Sequence, residues 1–360
     1  MRRAVHLALA IAAMLAFVLP PNVARAASLE LVRIYNVEGN FAGEEGQPPA
    51  TDLSGFACTA LPARHCLAIN DQNRTAQFAD IENHSLVVGK EIDLIGKDAS
   101  SVTFGRQPEA PKCSAGEKKF KDLDGEGVAY AAPYFYIVGS HGCSRKRSTF
   151  IASSFVLARL RVNKQGQPVD KDDNVLSDGK AENAVETTFR LSDHLRHDPK
   201  HKDYFAHDLD KDSDGLNIEG IAAVGNDLYV GLRAPSLQDE AVIVGVKADD
   251  LFRTGPKSFD ATIVPLALGK NVGIRDLAAL PDGRLVVLSG PTQEQPTVMY
   301  RLHVVEPKVG GTLIALGPID SAGAKAESVT VLDVQGNTLR LLLMSDGPEN
   351  GAPREYLAKF

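Results

Sequence analysis

The feature that most limits what this chain can fold into is a short element that it writes five times. Ser54-Gly55-Phe56-Ala57, Glu126-Gly127-Val128-Ala129, Glu219-Gly220-Ile221-Ala222, Arg275-Asp276-Leu277-Ala278 and Glu327-Ser328-Val329-Thr330 each set a polar or charged residue before an apolar, β-rich run. A second apolar strand follows, as in Asp227-Leu228-Tyr229-Val230 and Arg284-Leu285-Val286-Val287. A unit that recurs at such intervals cannot bury its apolar face alone and must stack against its copies. Alternation, β-branched content and punctuating Gly, Pro, Asn and Asp divide each copy into about four short strands. The fold class expected is therefore all-β, a β-propeller, in which the innermost strands line a central channel.

The third copy reads as Ile218–Val224, Leu228–Leu232, Ala241–Val246 and Ala261–Leu266, and the fourth as Ile274–Leu280, Arg284–Leu288, Thr297–Val304 and Thr312–Ala315. The last has only three strands, Glu327–Leu332, Thr338–Met344 and Arg354–Phe360, and Leu29–Val37 is expected to supply its fourth. That pairing of the N- and C-terminal strands would close the ring and remove two sheet edges. Successive copies stand 72, 93, 56 and 52 residues apart, so the first two blades carry insertions, near 96–120 and 163–214. Five blades is the reading; a further blade hidden in the long gap would make six or seven. Residues 27–360 are expected to form this one domain.

Residues 1–26 have Arg2 and Arg3, an apolar run from Ala4 to Leu19, and Ala24-Arg25-Ala26 before Ala27, the pattern of a secretory signal peptide. Cleavage would take away three arginines and no acid, moving the formal charge from −7 to −10. So acidic a chain argues against nucleic acid as partner. No later apolar segment approaches the roughly 20 residues that span a bilayer, so a periplasmic or secreted protein without a membrane span is expected. In an oxidising compartment, four cysteines read as two disulfides. Cys58 and Cys66 flank the turn Leu61-Pro62-Ala63-Arg64 on adjacent antiparallel strands, leaving Cys113–Cys143 as the second pair.

In a propeller, residues at one repeat position converge near the axis. Glu126, Glu219 and Glu327 share such a position and cannot all stay ionised without a counter-charge. Two answers are open. A Ca²⁺ ion, which takes six to eight oxygen ligands, could sit among the three glutamates. Arg275, at the matching position of the fourth copy, could instead neutralise them in an internal network. A second polar set ends the second strands: Asn70-Asp71, Ser140-His141, Arg233, Ser289 and Ser345-Asp346. These are expected near the channel mouth, with Asp71, His141, Arg233, Arg275 and Asp346 as ligand contacts. Arg233 would take an anion, and His141 could act as a general base; the serines read as turn residues.

Asp210, Asp212 and Asp214 open like a calcium loop, with Gly215 at the bend, but position twelve is Ile221 rather than a bidentate Glu. A local calcium clip and a solvated acidic turn are both compatible with that. His194, His197, His201 and His207 match no zinc spacing and read as an exposed loop. The chain has no G-x-S-x-G, Walker, G-x-G-x-x-G or H-E-x-x-H motif.

The segments LNIEGIAAVGNDLYVGLRAP and IRDLAALPDGRLVVLSGP resemble the bacterial family catalogued as domain of unknown function 3616, from about Val32 to the C-terminus. The resemblance implies a secreted β-propeller. More distantly, the Glu-Gly-Ile-Ala element is similar to one in phytase-like and esterase-like propellers and calcium-dependent lactonases. There an acidic side chain near the axis holds a metal, and only Glu126, Glu219 and Glu327 match it; Ser54 and Arg275 depart from it. A propeller that binds a small anionic ligand or an envelope protein at its channel mouth is expected. The alternative is a Ca²⁺-assisted hydrolase of phosphate esters, carboxylic esters or lactones.

Overall fold

The computed structural model describes residues 27–43, 48–62, 64–109, 112–113, 120–144, 148–176, 184–210, 213–255 and 259–360. Residues 1–26, where a signal peptide is expected, and Asp212 lie outside them. The chain is 52% strand and 7% helix and forms a five-bladed β-propeller. The innermost strands are Leu53–Cys58 in blade I, Gly125–Ala131 in blade II, Asn217–Val224 in blade III, Val272–Ala279 in blade IV and Lys325–Gln335 in blade V. Each carries one copy of the repeat, and each packs on the next around the ring, blade V against blade I.

The strands of blades III to V follow the apolar alternation to within a few residues. Blade III is built of Asn217–Val224, Asp227–Leu237, Glu240–Lys247 and Thr262–Leu266, all antiparallel. Blade IV departs at its third strand, which starts at Arg301 rather than Thr297. Residues 297–300 are given to the channel-mouth loop instead. Among its described residues the long second insertion adds no further blade: it supplies Val185–Thr188, the outer strand of blade II, and a helix at Arg190–Leu195.

The ring closes as the repeat count requires, with one difference. Ser28–Ile34 pairs antiparallel with Arg354–Lys359 as the outer strand of blade V. Asn36–Glu38, however, leaves that sheet and pairs parallel with Ser85–Asp93 at the edge of blade I. The expected single strand 29–37 is thus split at Tyr35, whose N–H donates to Pro353 O at 2.9 Å and whose ring is buried between the two blades. Local alternation cannot show such a corner, because both partner strands are distant in sequence: Ile34 pairs with Arg354 in blade V and Asn36 with Ser85 in blade I.

Apolar contacts fall into clusters between neighbouring blades, such as Ile274, Leu277, Val287 and Ile243 between blades III and IV. Both disulfides are present. Cys58 and Cys66 stand directly opposite on paired strands, and Cys113–Cys143 ties the first insertion to the end of blade II's second strand. No helix of the described residues is long and apolar enough to cross a membrane.

Candidate functional site at the channel mouth

All five inner strands break register at one place, leaving Ser54, Glu126, Glu219, Arg275 and Glu327 out of the ladder with the second strand. A bulge leaves its extra residue unpaired and re-aims the side chain. The repeat's polar residue is therefore the bulged one, and all five are buried. The glycine after it lets adjacent inner strands approach closely. A Cβ on Gly55 would lie 2.9 Å from Gly127 Cα, and one on Gly220 2.7 Å from Asp276 Cα.

In blades III to V the bulge residues meet. Arg233 Nη1 lies 2.6 Å from Glu219 Oε1, and Arg275 Nη2 lies 3.2 Å from Glu219 Oε2. Arg275 then grips Glu327 with both Nε, at 3.0 Å, and Nη2. The result is a buried chain of alternating charge, Arg233–Glu219–Arg275–Glu327. Arg233 is fixed from outside by donating Nε–H to Thr292 O at 2.7 Å. Burial alone would lower the Arg275 pKa, but Glu219 and Glu327 more than reverse it, so the guanidinium stays charged. Burial, aided by the Glu219 charge, pushes Glu327 up to about 7 against the pull of Arg275. Glu126 is buried at the equivalent bulge of blade II.

Arg233 and Arg275 also line a cavity of about 430 Å³, walled by Tyr300, Met299, Ile319 and Lys325. The Tyr300 ring lies against Gly290, where a Cβ would come within 2.6 Å of it. Burial pushes its phenol up to about 12, so it is a hydroxyl donor there rather than an anion. Lys325, on the rim, is paired with Asp346 at 3.0 Å. The cavity therefore offers cationic and hydroxyl donors beside apolar walls, with the carboxylates of Glu294 and Asp320 also in its lining, and its guanidinium donors are suited to an anionic group.

The other expected site residues lie elsewhere. Asp71 is on blade I, where burial and the nearby charge of Asp124, with smaller contributions from Asp52 and Asp346, push its carboxyl up to about 7. Asp346 thus belongs to an acidic arc on blades I, II and V and reaches the cavity through its pair with Lys325. His141 is wholly buried, beside the Phe155 ring, and does not line the cavity of Arg233 and Arg275. Its Nδ1 lies 2.9 Å from Gly139 O; a carbonyl can only accept, so Nδ1 carries the proton. Burial pushes the imidazole down to about 4.

Among the described residues, no three His, Cys, Asp or Glu side chains group as metal ligands do. Glu219 and Glu327 are turned onto guanidinium groups. Leu209–Asp210 and Ser213–Asp214 form a two-residue ladder with Asp214 exposed. The histidine segment departs from an exposed loop. His194 is on the helix and stacks on Phe259, while His201 is buried against Asp198. The apolar residues interleaved with them, Leu191, Leu195 and Phe205, are what draw the segment into the core.

Sequence reasoning missed Asp276, Tyr300 and Lys325. Asp276 replaces the repeat's glycine, and its carboxylate accepts N–H groups of Leu277 and, across to blade V, Val329, both at 2.8 Å. Burial pushes it well above the ordinary range. Its departure from Gly at a repeat position was the available signal; Tyr300 and Lys325 had none, since the cavity is assembled by loops of three blades.

Among solved structures, the chain is similar to the α-L-arabinofuranosidase PaAbf62A of Podospora anserina, at 8% identity and TM-score 0.45, covering 92% of this chain and 97% of that one. It is also similar to the PQQ-bound aldose sugar dehydrogenase of Streptomyces coelicolor, at 12% identity and TM-score 0.36, covering 92% and 98%. Kuenenia stuttgartiensis hydrazine synthase matches at 10% identity and TM-score 0.36, covering 86% and 80%. No curated protein matches the sequence. A family model matches residues 109–153 and 149–355, more than half of the sequence, and the chain belongs to the family described as Protein of unknown function (DUF3616).

Proposed function

We propose that this protein binds a small anionic ligand at the channel mouth, as a binding protein of the periplasm or the secreted space. The observation that carries the reading is that two buried guanidinium groups from neighbouring blades, Arg233 and Arg275, line one cavity of about 430 Å³ together with Lys325. Glu219 and Glu327 hold the two arginines in place from behind, so the donors are oriented before a ligand arrives. The two disulfides fit an oxidising compartment.

Protonation of Glu327 would leave the charge chain with one more positive charge. Anion binding is therefore expected to strengthen as pH falls through about 7. The test is a thermal melt of the protein with a panel of carboxylates, sugar acids, phosphate and sulfate, repeated at pH 6 and pH 8. A ligand at about a hundred times its dissociation constant stabilises by roughly 2.7 kcal/mol. Lys325→Ala and Tyr300→Phe, which leave the buried chain intact, should weaken the response. A panel without any stabilising anion, or a response unmoved by both variants, would sink the reading, and an envelope protein would become the partner to seek.

The Ca²⁺-assisted hydrolase is the rival. An ion among Glu126, Glu219 and Glu327 would have to draw two of those carboxylates away from Arg233 and Arg275, exchanging one set of counter-charges for another. Melts in EDTA and in millimolar Ca²⁺, followed by an esterase, lactonase and phosphatase screen, separate the two: a Ca²⁺-specific rise lost in Glu219→Gln favours the hydrolase.

A further inference from the structure

At the far end of the channel the same five strands build a second cavity. It has a volume of about 260 Å³ and takes its wall from the ends of all five inner strands, through Ala57, Ala129, Ala222, Ala278 and Thr330. Among the described residues that line it, none carries a charge. The Thr330 hydroxyl is already committed, donating to Phe56 O at 2.5 Å. Leu61, one of the few large apolar side chains exposed among the described residues, at 40%, lines it together with Leu280 and Pro281. An apolar cavity of about 150 Å³ can stay dry and take up benzene, so a site of this size and lining is large enough for a hydrocarbon ligand.

We propose that this cup is a binding site for the end of a single alkyl chain, distinct from the anion cavity at the other mouth. Three observations select that chemistry. The missing charges exclude an ionic group at the bottom, because an unpaired charge there would lose its hydration without compensation. Walls of alanine, valine, isoleucine and leucine give aliphatic contact, with Thr59 and Tyr130 as the remaining hydroxyl-bearing members of the lining. Equivalent positions of five strands surround one axis, so the wall can touch a chain's methylenes on all sides. The polar head of such a molecule stays outside, past Leu61 and Pro281. The source of the chain, a free amphiphile or a lipid, is a matter for the experiment.

The test is calorimetric titration of the protein with 1-octanol, with the methyl NMR signals of alanine followed in parallel. Saturable binding is expected, with shifts centred on Ala57, Ala129, Ala222 and Ala278. 1,8-Octanediol, equal in length but with a hydroxyl to bury at the far end, should bind at least tenfold more weakly. Ala278→Phe, at a half-buried wall position, should fill the cup and remove binding; should that variant not fold, Ala57→Leu is read the same way. Absence of saturable binding, equal affinity for the diol, or full affinity in a folded filled variant would each overturn the proposal. Co-sedimentation with phosphatidylcholine vesicles, lost in the filled variant, assigns the chain to lipid; its absence alongside octanol binding assigns it to a free amphiphile.

Discussion

The two ends of the channel are built by the same five strands and yet could hardly differ more. Where the strands enter, each bulges and turns a polar or charged residue inward, and three blades link these residues into Arg233–Glu219–Arg275–Glu327. Where they leave, small and aliphatic residues line a cup without a charge. A bulge of one residue separates the two, which shows how little backbone change a repeat needs to make opposite environments. The polar end is also the more fragile one, because a buried charge network depends on every partner being present, while apolar packing degrades one contact at a time.

The sharpest way to break the contrast is Arg275→Ala. It takes the guanidinium of Arg275 away from both Glu327 and Glu219, and should cost about 3–5 kcal/mol, a fall in Tm of roughly 4–7 °C by calorimetry in a domain this large. Arg275→Leu with Glu327→Leu removes both charges together and should recover most of that loss; a double variant as unstable as the single would show that shape, not charge, governs this end. Next in size is Gly220→Ala, whose methyl meets the Asp276 backbone at 2.7 Å between two inner strands. A loss of about 1–3 kcal/mol in a urea melt is expected.

A pH series sharpens the comparison further. Asp71 has a folded pKa of about 7, above its ordinary 3.8, so the folded state holds that proton more tightly than the unfolded chain does. Its contribution is greatest below pH 4 and is lost as pH rises to 7. Asp71→Asn should therefore leave stability near pH 4 unchanged and raise it at pH 8, by about 1–2 kcal/mol once the side chain's partial exposure is allowed for. An identical decline with pH in the variant would place the titrating group elsewhere. The smallest effect concerns the disulfides. Cys113–Cys143 spans 30 residues and Cys58–Cys66, at the rim of the apolar cup, only 8, so replacing the first pair by alanine should cost about 1 kcal/mol more.

Much of the ring was legible in the chain because its signals are local. Apolar alternation marked the strands of blade III nearly to their ends, and the recurring polar-short-apolar element marked the five innermost strands. Cys58 and Cys66 flanked a turn and so had to face each other. The channel-mouth candidates were legible only as a shared repeat position. The choice among their partners was not, since a guanidinium and a carboxylate meet or miss by a couple of ångströms set by the packing of whole blades. Asp276 shows the same limit: it broke the glycine pattern visibly, but its bond to Val329 depends on how close blade V lies.

What the sequence by itself determined is the kind of structure, the repeated module and the set of side chains directed to one end of the axis, because periodicity and turn chemistry act over a few residues; that the ring has five blades and not six or seven was settled by the fold. Tertiary structure decided that Tyr35 turns the first strand from one blade to the next, that His141 is sealed away from the cavity, and that Arg275 lies between two glutamates. Each of those is a contact between segments far apart in the chain, and its energy exists only once the ring has closed.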